Sequence, residues 1–179
     1  MPSGSTSPRA ESPTARLFVA LWPDAGVRTR LAAHRDGWCW PASARPVADE
    51  NLHATLHFIG SFARERIAAL RSRLAAVQAE APTLQPRAAE VWRGGIAVLT
   101  LEHEPRLLAL RERVGTALVE SGVVWEARPF TAHVTLARNA TRAIAPSKLR
   151  PMTWHANRFA LVESGAGQAP YEVLETWRL

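Results

Sequence analysis

Two histidines head the same short stretch of sequence. His53-Ala54-Thr55-Leu56 recurs 80 residues later as His133-Val134-Thr135-Leu136. On a β-strand, residues i and i+2 share a face, so each histidine has its threonine beside it. The intervening Ala54, Leu56, Val134 and Leu136 suit the opposite, buried face. Two such strands set side by side would present two imidazoles and two hydroxyls to one cleft. Imidazole titrates near neutral pH, so one ring can accept a proton while the other donates one. Hydroxyls can donate to phosphate oxygens. That set suits in-line attack on a phosphodiester, with no metal required.

A metal site would use the same histidines differently. His53 and His57 have the i, i+4 spacing of helical zinc sites, but Ala54 stands where that motif needs Glu. On a strand they lie roughly 13 Å apart, from ~3.3 Å per residue, too far to share an ion. The expectation is therefore no metal and no cofactor.

The elements that must carry the two motifs can be traced along the chain. Leu17–Trp22 is a short apolar run ended by Pro23-Asp24, which reads as a buried strand. Asp24 can cap a helix running to about Asp36. Asn51–Ile59 alternates as a strand, closed by Gly60. Ile67, Leu70, Leu74 and Val77 recur at helical spacing and predict an amphipathic helix over Arg64–Ala81. Arg87–Trp92 and Ile96–Leu101 read as strands joined by a Gly94-Gly95 turn. Leu107, Leu110, Val114 and Leu118 mark a helix with Pro105 in its first turn and Gly122 beyond its end. Thr131–Arg138, Trp154–Glu163 and Tyr171–Trp177 read as strands, the last two joined by SGAGQAP. Hairpins mixed with three helices predict an α+β fold.

Composition bounds the rest. The chain has 179 residues, 47% of them hydrophobic, which suits one compact domain with a sizeable core. No run approaches the roughly 18 apolar residues of a membrane span. Residues 1–16 are rich in Ser, Pro and Thr, contain no secretory h-region, and read as a disordered leader before a single domain over 17–179. Cys39 is the one cysteine, so an internal disulfide is excluded and a reducing, cytoplasmic setting is expected.

LFVALWP, NLHATLHFIG, FTAHVTLAR and LVES…YEVLETWRL, in that order, resemble the landmarks of the 2H phosphoesterases. The nearest resemblance is to the bacterial RNA 2′,3′-cyclic phosphodiesterases, also known as 2′-5′ RNA ligases, and it spans Leu17 to Leu179. It implies a bilobal α+β fold with two antiparallel sheets flanking a central cleft, the lobes being pseudo-symmetric. It makes His53 the general acid and His133 the general base, with Thr55 and Thr135 holding the phosphate. Arg138 falls where family members place a phosphate-binding arginine, and Phe58 where an aromatic can stack on the base. The implied reaction is metal-independent hydrolysis of an RNA 2′,3′-cyclic phosphate end to a 2′-phosphomonoester. The implied partners are RNA or oligonucleotide ends, with no membrane, and a monomer is expected. Reversible 2′-5′ ligation of tRNA halves uses the same histidines, and a non-catalytic RNA- or nucleotide-binding module is the alternative outside enzymology.

Alternation alone places some of these residues differently. Counted from His133 and Thr135, Arg138 falls on the opposite face, so a bend or the strand's end must redirect it. Phe58 likewise falls on the apolar face and reads as core packing, whereas His57 shares the face of His53 and can line the cleft rim. His34, His103 and His155 have no evident partner. The chain carries 22 basic and 16 acidic residues, a formal charge of +6. Between Ala127 and Val162 there is no acid, while Arg128, Arg138, Arg142, Lys148, Arg150 and Arg158 supply six positive charges, as many as the whole excess. One basic lip of the cleft, beside His133, is the expectation.

Overall fold

The structure is a computed structural model that describes residues 13–124, 129–165 and 171–179. Residues 1–12, residues 125–128 with Arg128, and residues 166–170 of the SGAGQAP stretch lie outside it. Ten strands and three α-helices are seen among the described residues. The chain runs β1 (Thr14–Leu21), α1 (Ala25–Asp36), β2 (Arg45–Pro46), β3 (Ala54–Ala63), α2 (Ile67–Ala75), β4 (Thr83–Leu84), β5 (Pro86–Trp92) and β6 (Ile96–Leu101). It continues through α3 (Pro105–Glu120), β7 (His133–Arg138), β8 (Trp154–His155), β9 (Arg158–Glu163) and β10 (Glu172–Arg178). The fold is α+β, with a large antiparallel sheet and a second, two-stranded one.

The large sheet has the order β10-β9-β1-β3-β7-β6-β5, with β2 pairing the far end of β7. β1 pairs with β3 along its whole length, and β6 with β7 over most of β7. Between them β3 meets β7 at a single register position, Ala54 opposite Val134. The helices cover one face of the sheet, where Leu17, Val19, Leu21, Leu99, Val134 and Leu136 bury against Leu31, Leu70, Leu110 and Leu118. On the other face a smaller apolar layer forms from Phe18, Ala20, Ala160 and Val162, flanked by Trp22 and Tyr171. β1 serves both layers by simple alternation, odd residues to the helices and even residues to the open face.

Local chemistry accounts for the helix boundaries. The Asp24 carboxylate accepts from the Val27 N–H at 2.8 Å, the expected N-cap of α1. Glu104 caps α3 through the Leu107 N–H at 2.6 Å, with Pro105 in the first position. Gly122 follows α3 at φ +75°, a left-handed conformation that glycine adopts without penalty.

Several boundaries differ from the sequence-based expectation, among them the starts of β3 at Ala54 rather than Asn51, α2 at Ile67 rather than Arg64 and β7 at His133 rather than Thr131. β1 starts at Thr14, not Leu17, because Thr14–Arg16 pair with Ser61–Ala63 and bury Ala15. α2 ends at Ala75 rather than Ala81. Its last carbonyls are taken by tight bonds from Ala76 to Arg73 and Val77 to Leu74, and the chain turns away to form β4. Gly60 does not close β3. It lies beside a bulge at φ +80°, and the strand continues to Ala63. Trp154–Glu163 is two strands, because Trp154 pairs with Leu84 in the small sheet while Arg158 onward joins the large one.

Two histidines of the helix-facing layer, His34 and His57, are buried, and burial pushes both below the ordinary imidazole value. The unfolded chain therefore takes up protons first as the pH falls. Stability from these rings is complete above about pH 6.5 and is lost on acidification towards their lower folded values. Thermal midpoints measured from pH 8 to 5 should hold above 6.5 and drop below it, before carboxylates titrate near ~4. A flat midpoint across that range would contradict the burial of neutral rings.

Candidate active site

The single β3–β7 pairing sets the site. With Ala54 opposite Val134 in an antiparallel pair, His53 lies across from Thr135 and Thr55 across from His133. Each histidine thus faces the other motif's threonine. The two histidines are diagonal neighbours, a relation that separates residues by about 7–8 Å and their Cβ atoms by somewhat less. That span leaves room for one tetrahedral group between the rings.

Both imidazoles are held in the same way. The His53 Nδ1–H donates to the Asn51 carbonyl at 2.7 Å, and the His133 Nδ1–H donates to the Thr131 carbonyl at 2.8 Å. A carbonyl can only accept, so each bond fixes the tautomer and leaves Nε2 as the working nitrogen. The His53 Nε2 accepts from the Thr55 hydroxyl at 3.0 Å.

Aromatic rings enclose His53 more than His133. Phe18 and Trp22 stack on it at 4.9 and 5.5 Å, and Tyr171 meets it edge-on at 5.6 Å. His133 has Trp92 at 4.5 Å, tilted by 58°. Burial accordingly pushes the His53 pKa down to about 4, against the opposing pull of the Asn51 carbonyl, with the charges of His133 and Arg138 lowering it further. Burial lowers His133 as well, partly offset by the Thr131 carbonyl. Both rings are therefore neutral at pH 7 in the empty site.

A cleft of about 610 Å³ opens on this face of the sheet. His53, Thr55, Thr135, Arg138 and Phe58 line it, with Arg16, Phe18, Asn51 and Tyr171. His133 is not among the lining residues, although its charge reaches His53. Phe58 and Arg138 arrive there by one device used twice. The β1–β3 register skips Leu56, between Ala20 opposite Thr55 and Val19 opposite His57. The β6–β7 register skips Leu136, between Val98 opposite Thr135 and Ala97 opposite Ala137. Each skip is a β-bulge that reverses the side-chain phase. From His53 to Phe58 and from His133 to Arg138 the exposure pattern is identical: half-buried, buried, half-buried, buried, buried, exposed.

The bulges correct two expectations and supply the bend that a third required. Phe58 is not core but stands 53% exposed in the cleft. Arg138 is turned towards the cleft by the bulge at Leu136. His57 leaves the cleft face altogether; it is buried against α3, its Nε2–H donating to the Arg111 carbonyl at 2.7 Å. His53 and His57 consequently face opposite sides of β3.

Among the five described cations of that acid-free stretch, Arg138 alone is a lining residue of the cleft, and Arg128 of the expected basic lip lies outside the described residues. Arg150 lines a separate pocket beside α1. Arg158 pairs with Arg178 at the β9–β10 edge. The second cleft cation is Arg16, assigned by sequence reading to the leader; its guanidinium lies 4.9 Å from the Phe58 ring centroid. The signal was present, because Arg16, Phe18 and Trp22 share one phase of an alternating strand. Tyr171 and Asn51 were also missed. They meet across 120 residues through the Tyr171 N–H and the Asn51 side-chain oxygen at 3.3 Å, a contact no local pattern encodes.

This geometry has known counterparts. A family model described as LigT like Phosphoesterase matches residues 23–96 and 99–170, stretches that each hold one histidine motif. The chain belongs to this family of 2H phosphoesterases. The RNA 2′,3′-cyclic phosphodiesterase of Escherichia coli (strain K12) is 31% identical over 169 residues, which cover 92% of this chain and 96% of that protein. A crystal structure of a phosphoesterase matches with a TM-score of 0.80 and 30% identity, covering 93% of this chain and 99% of the other. Escherichia coli LigT complexed with 3′-AMP matches with a TM-score of 0.75 and 27% identity, covering 93% and 99%.

The tautomers and the unequal burial are open to direct measurement. Imidazole nitrogen shifts in a pH titration should show Nδ1–H in both rings and His53 staying neutral down to about pH 4. An Nε2–H tautomer in either ring would contradict the carbonyl tethers.

Proposed function

We propose that this enzyme hydrolyses the 2′,3′-cyclic phosphate at an RNA end to a 2′-phosphomonoester, using His53 and His133 as an acid–base pair without a metal. The observation that carries this reading is the crossed arrangement of the two motifs. Each imidazole has its Nδ1 tethered to a carbonyl two residues back, and each stands across from the other motif's threonine. The similarity to the Escherichia coli cyclic phosphodiesterase supports the same substrate class.

In this mechanism the His133 Nε2 takes a proton from water, and the oxygen attacks phosphorus. The bond from phosphorus to the 3′ oxygen breaks, and the His53 Nε2–H protonates that oxygen as it leaves. Thr55, Thr135 and Arg138 donate to the equatorial oxygens, where charge accumulates. The guanidinium presents a planar fork suited to two phosphate oxygens. Phe58, with Arg16 against it, offers a face for the terminal base.

Burial holds His53 neutral at pH 7, so the proton it later donates is taken up from solvent as the anionic substrate binds. An anionic phosphate beside an imidazole favours the charged form and raises the pKa. The free enzyme must still carry one proton on the pair. At pH above both lowered values kcat/KM should fall about tenfold per pH unit, from about 6.5 to 8.5. A level profile across that range would exclude His53 as the acid.

Substitution completes the test. His53→Ala and His133→Ala should each lower kcat/KM on a cyclic-phosphate-ended oligonucleotide by roughly 10²–10⁴-fold. The wild-type protein should keep its turnover in EDTA, with phosphorus NMR showing the 2′-monoester. Loss of activity with the chelator would overturn the metal-free mechanism. Supplying a 5′-hydroxyl RNA end and recovering joined product in place of the monoester would show ligation instead.

A further inference from the structure

A second pocket, of about 230 Å³, lies on the helix-covered side of the sheet and shares no lining residue with the catalytic cleft. Its walls come from three places: α1 contributes Arg30, Ala33 and His34, β5 and β6 contribute Pro86 and Leu99, and the segment before β8 contributes Arg150, Pro151 and Met152. Pro86, Leu99, Pro151 and Met152 make it mainly apolar, while Arg30 of α1 and Arg150 of the segment before β8 each bring a positive charge to its lining.

Three observations point to a ligand. Neither Arg30 nor Arg150 has an ion-pair partner among the described residues, whereas Arg35, Arg64, Arg73 and Arg106 each pair with a carboxylate. His34 is 6% exposed, and its buried Nε2 has no hydrogen-bond partner, an arrangement that native structures rarely leave unexplained. Burial and then the Arg150 charge hold that ring below its ordinary pKa, so the pocket sets two cations beside a neutral imidazole with no negative group among its lining residues.

We propose that this pocket binds a small organic anion with an apolar body, of which an aryl carboxylate is the simplest form. The carboxylate would take the guanidinium fork of Arg150, with Arg30 opposite, and the ring would lie against Leu99 and Met152. Its volume is well under half that of the cleft, so it suits one compact molecule. The site also has a structural link to the chemistry: Leu99 is the direct β6 neighbour of Val134, the residue between His133 and Thr135.

Met1 and Met152 are the two methionines of the chain, which makes a methyl-labelled methionine a reporter of this pocket alone. Titration with benzoate should shift the Met152 methyl resonance to saturation, while benzyl alcohol and acetate, lacking the charge or the body, leave it in place. Arg30→Met and Arg150→Met keep most of the apolar stem, and each should weaken benzoate about tenfold with an unchanged thermal midpoint. No shift by about 10 mM benzoate, an equal response to benzyl alcohol, or wild-type affinity in both variants would overturn the proposal.

Discussion

Ala54 faces Val134 across two strands that share no other paired position, and the arrangement of the site follows from that contact. Both residues are buried, and each is locked from its far side, Ala54 by Leu21 on β1 and Val134 by Leu99 on β6. A slip of one residue would send every side chain of a strand to the other face. It would put His133 and Thr135 into the helix-facing core and Val134 into the cleft. The register is therefore held by apolar packing on one face, while the polar groups on the other need only be present.

The bulges at Leu56 and Leu136 extend the reach of each motif. A regular strand can offer a ligand residues i, i+2 and i+4, and position i+4 would have been His57 in one copy and Ala137 in the other. Skipping a leucine brings i+5 forward instead, so Phe58 and Arg138 reach the cleft and His57 is buried. Local duplication of the same irregularity gives one copy an aromatic face and the other a cation at equivalent stations. The copies are not equivalent electrostatically. Phe18, Trp22 and Tyr171 surround His53 where His133 has Trp92, so the two rings differ in environment although each Nδ1–H donates to a carbonyl two residues back.

This division explains what was legible in the amino-acid sequence. The repeated His-x-Thr, the alternation around it, the capped helices and the Gly94-Gly95 hairpin are local patterns, and they led to an α+β fold with His53, His133, Thr55 and Thr135 as candidates, while Arg138 came from the family resemblance. Residues placed by pairing were harder. Strict period-2 counting sent Phe58 inward and His57 outward because a bulge leaves no period of its own. Arg16 was lost with the leader because Thr14–Arg16 owe their strand to partners more than 40 residues away, at Ser61–Ala63. α2 was overextended because helical spacing continues past Ala75, while the chain itself leaves to pair β4 with β8.

The distribution of charge separates two ways of recognising an anion. A continuous basic lip would attract RNA along its backbone, with affinity set by many phosphates and strongly reduced by salt. Among the described cations of the acid-free stretch, only Arg138 lines the cleft, while Arg150 lines the rear pocket and Arg158 lies on β9. What faces the cleft is one guanidinium from β7, another from the start of β1, and the hydroxyls of Thr55 and Thr135. Glu163 also lines it, already paired with Arg64. On the proposed reading, such a set suits a single phosphate flanked by one stacked base. Specificity on the proposed reading then comes from the shape and donors of a small cleft at the strand of a terminal nucleotide, and the net charge of +6 supplies only a diffuse attraction around it.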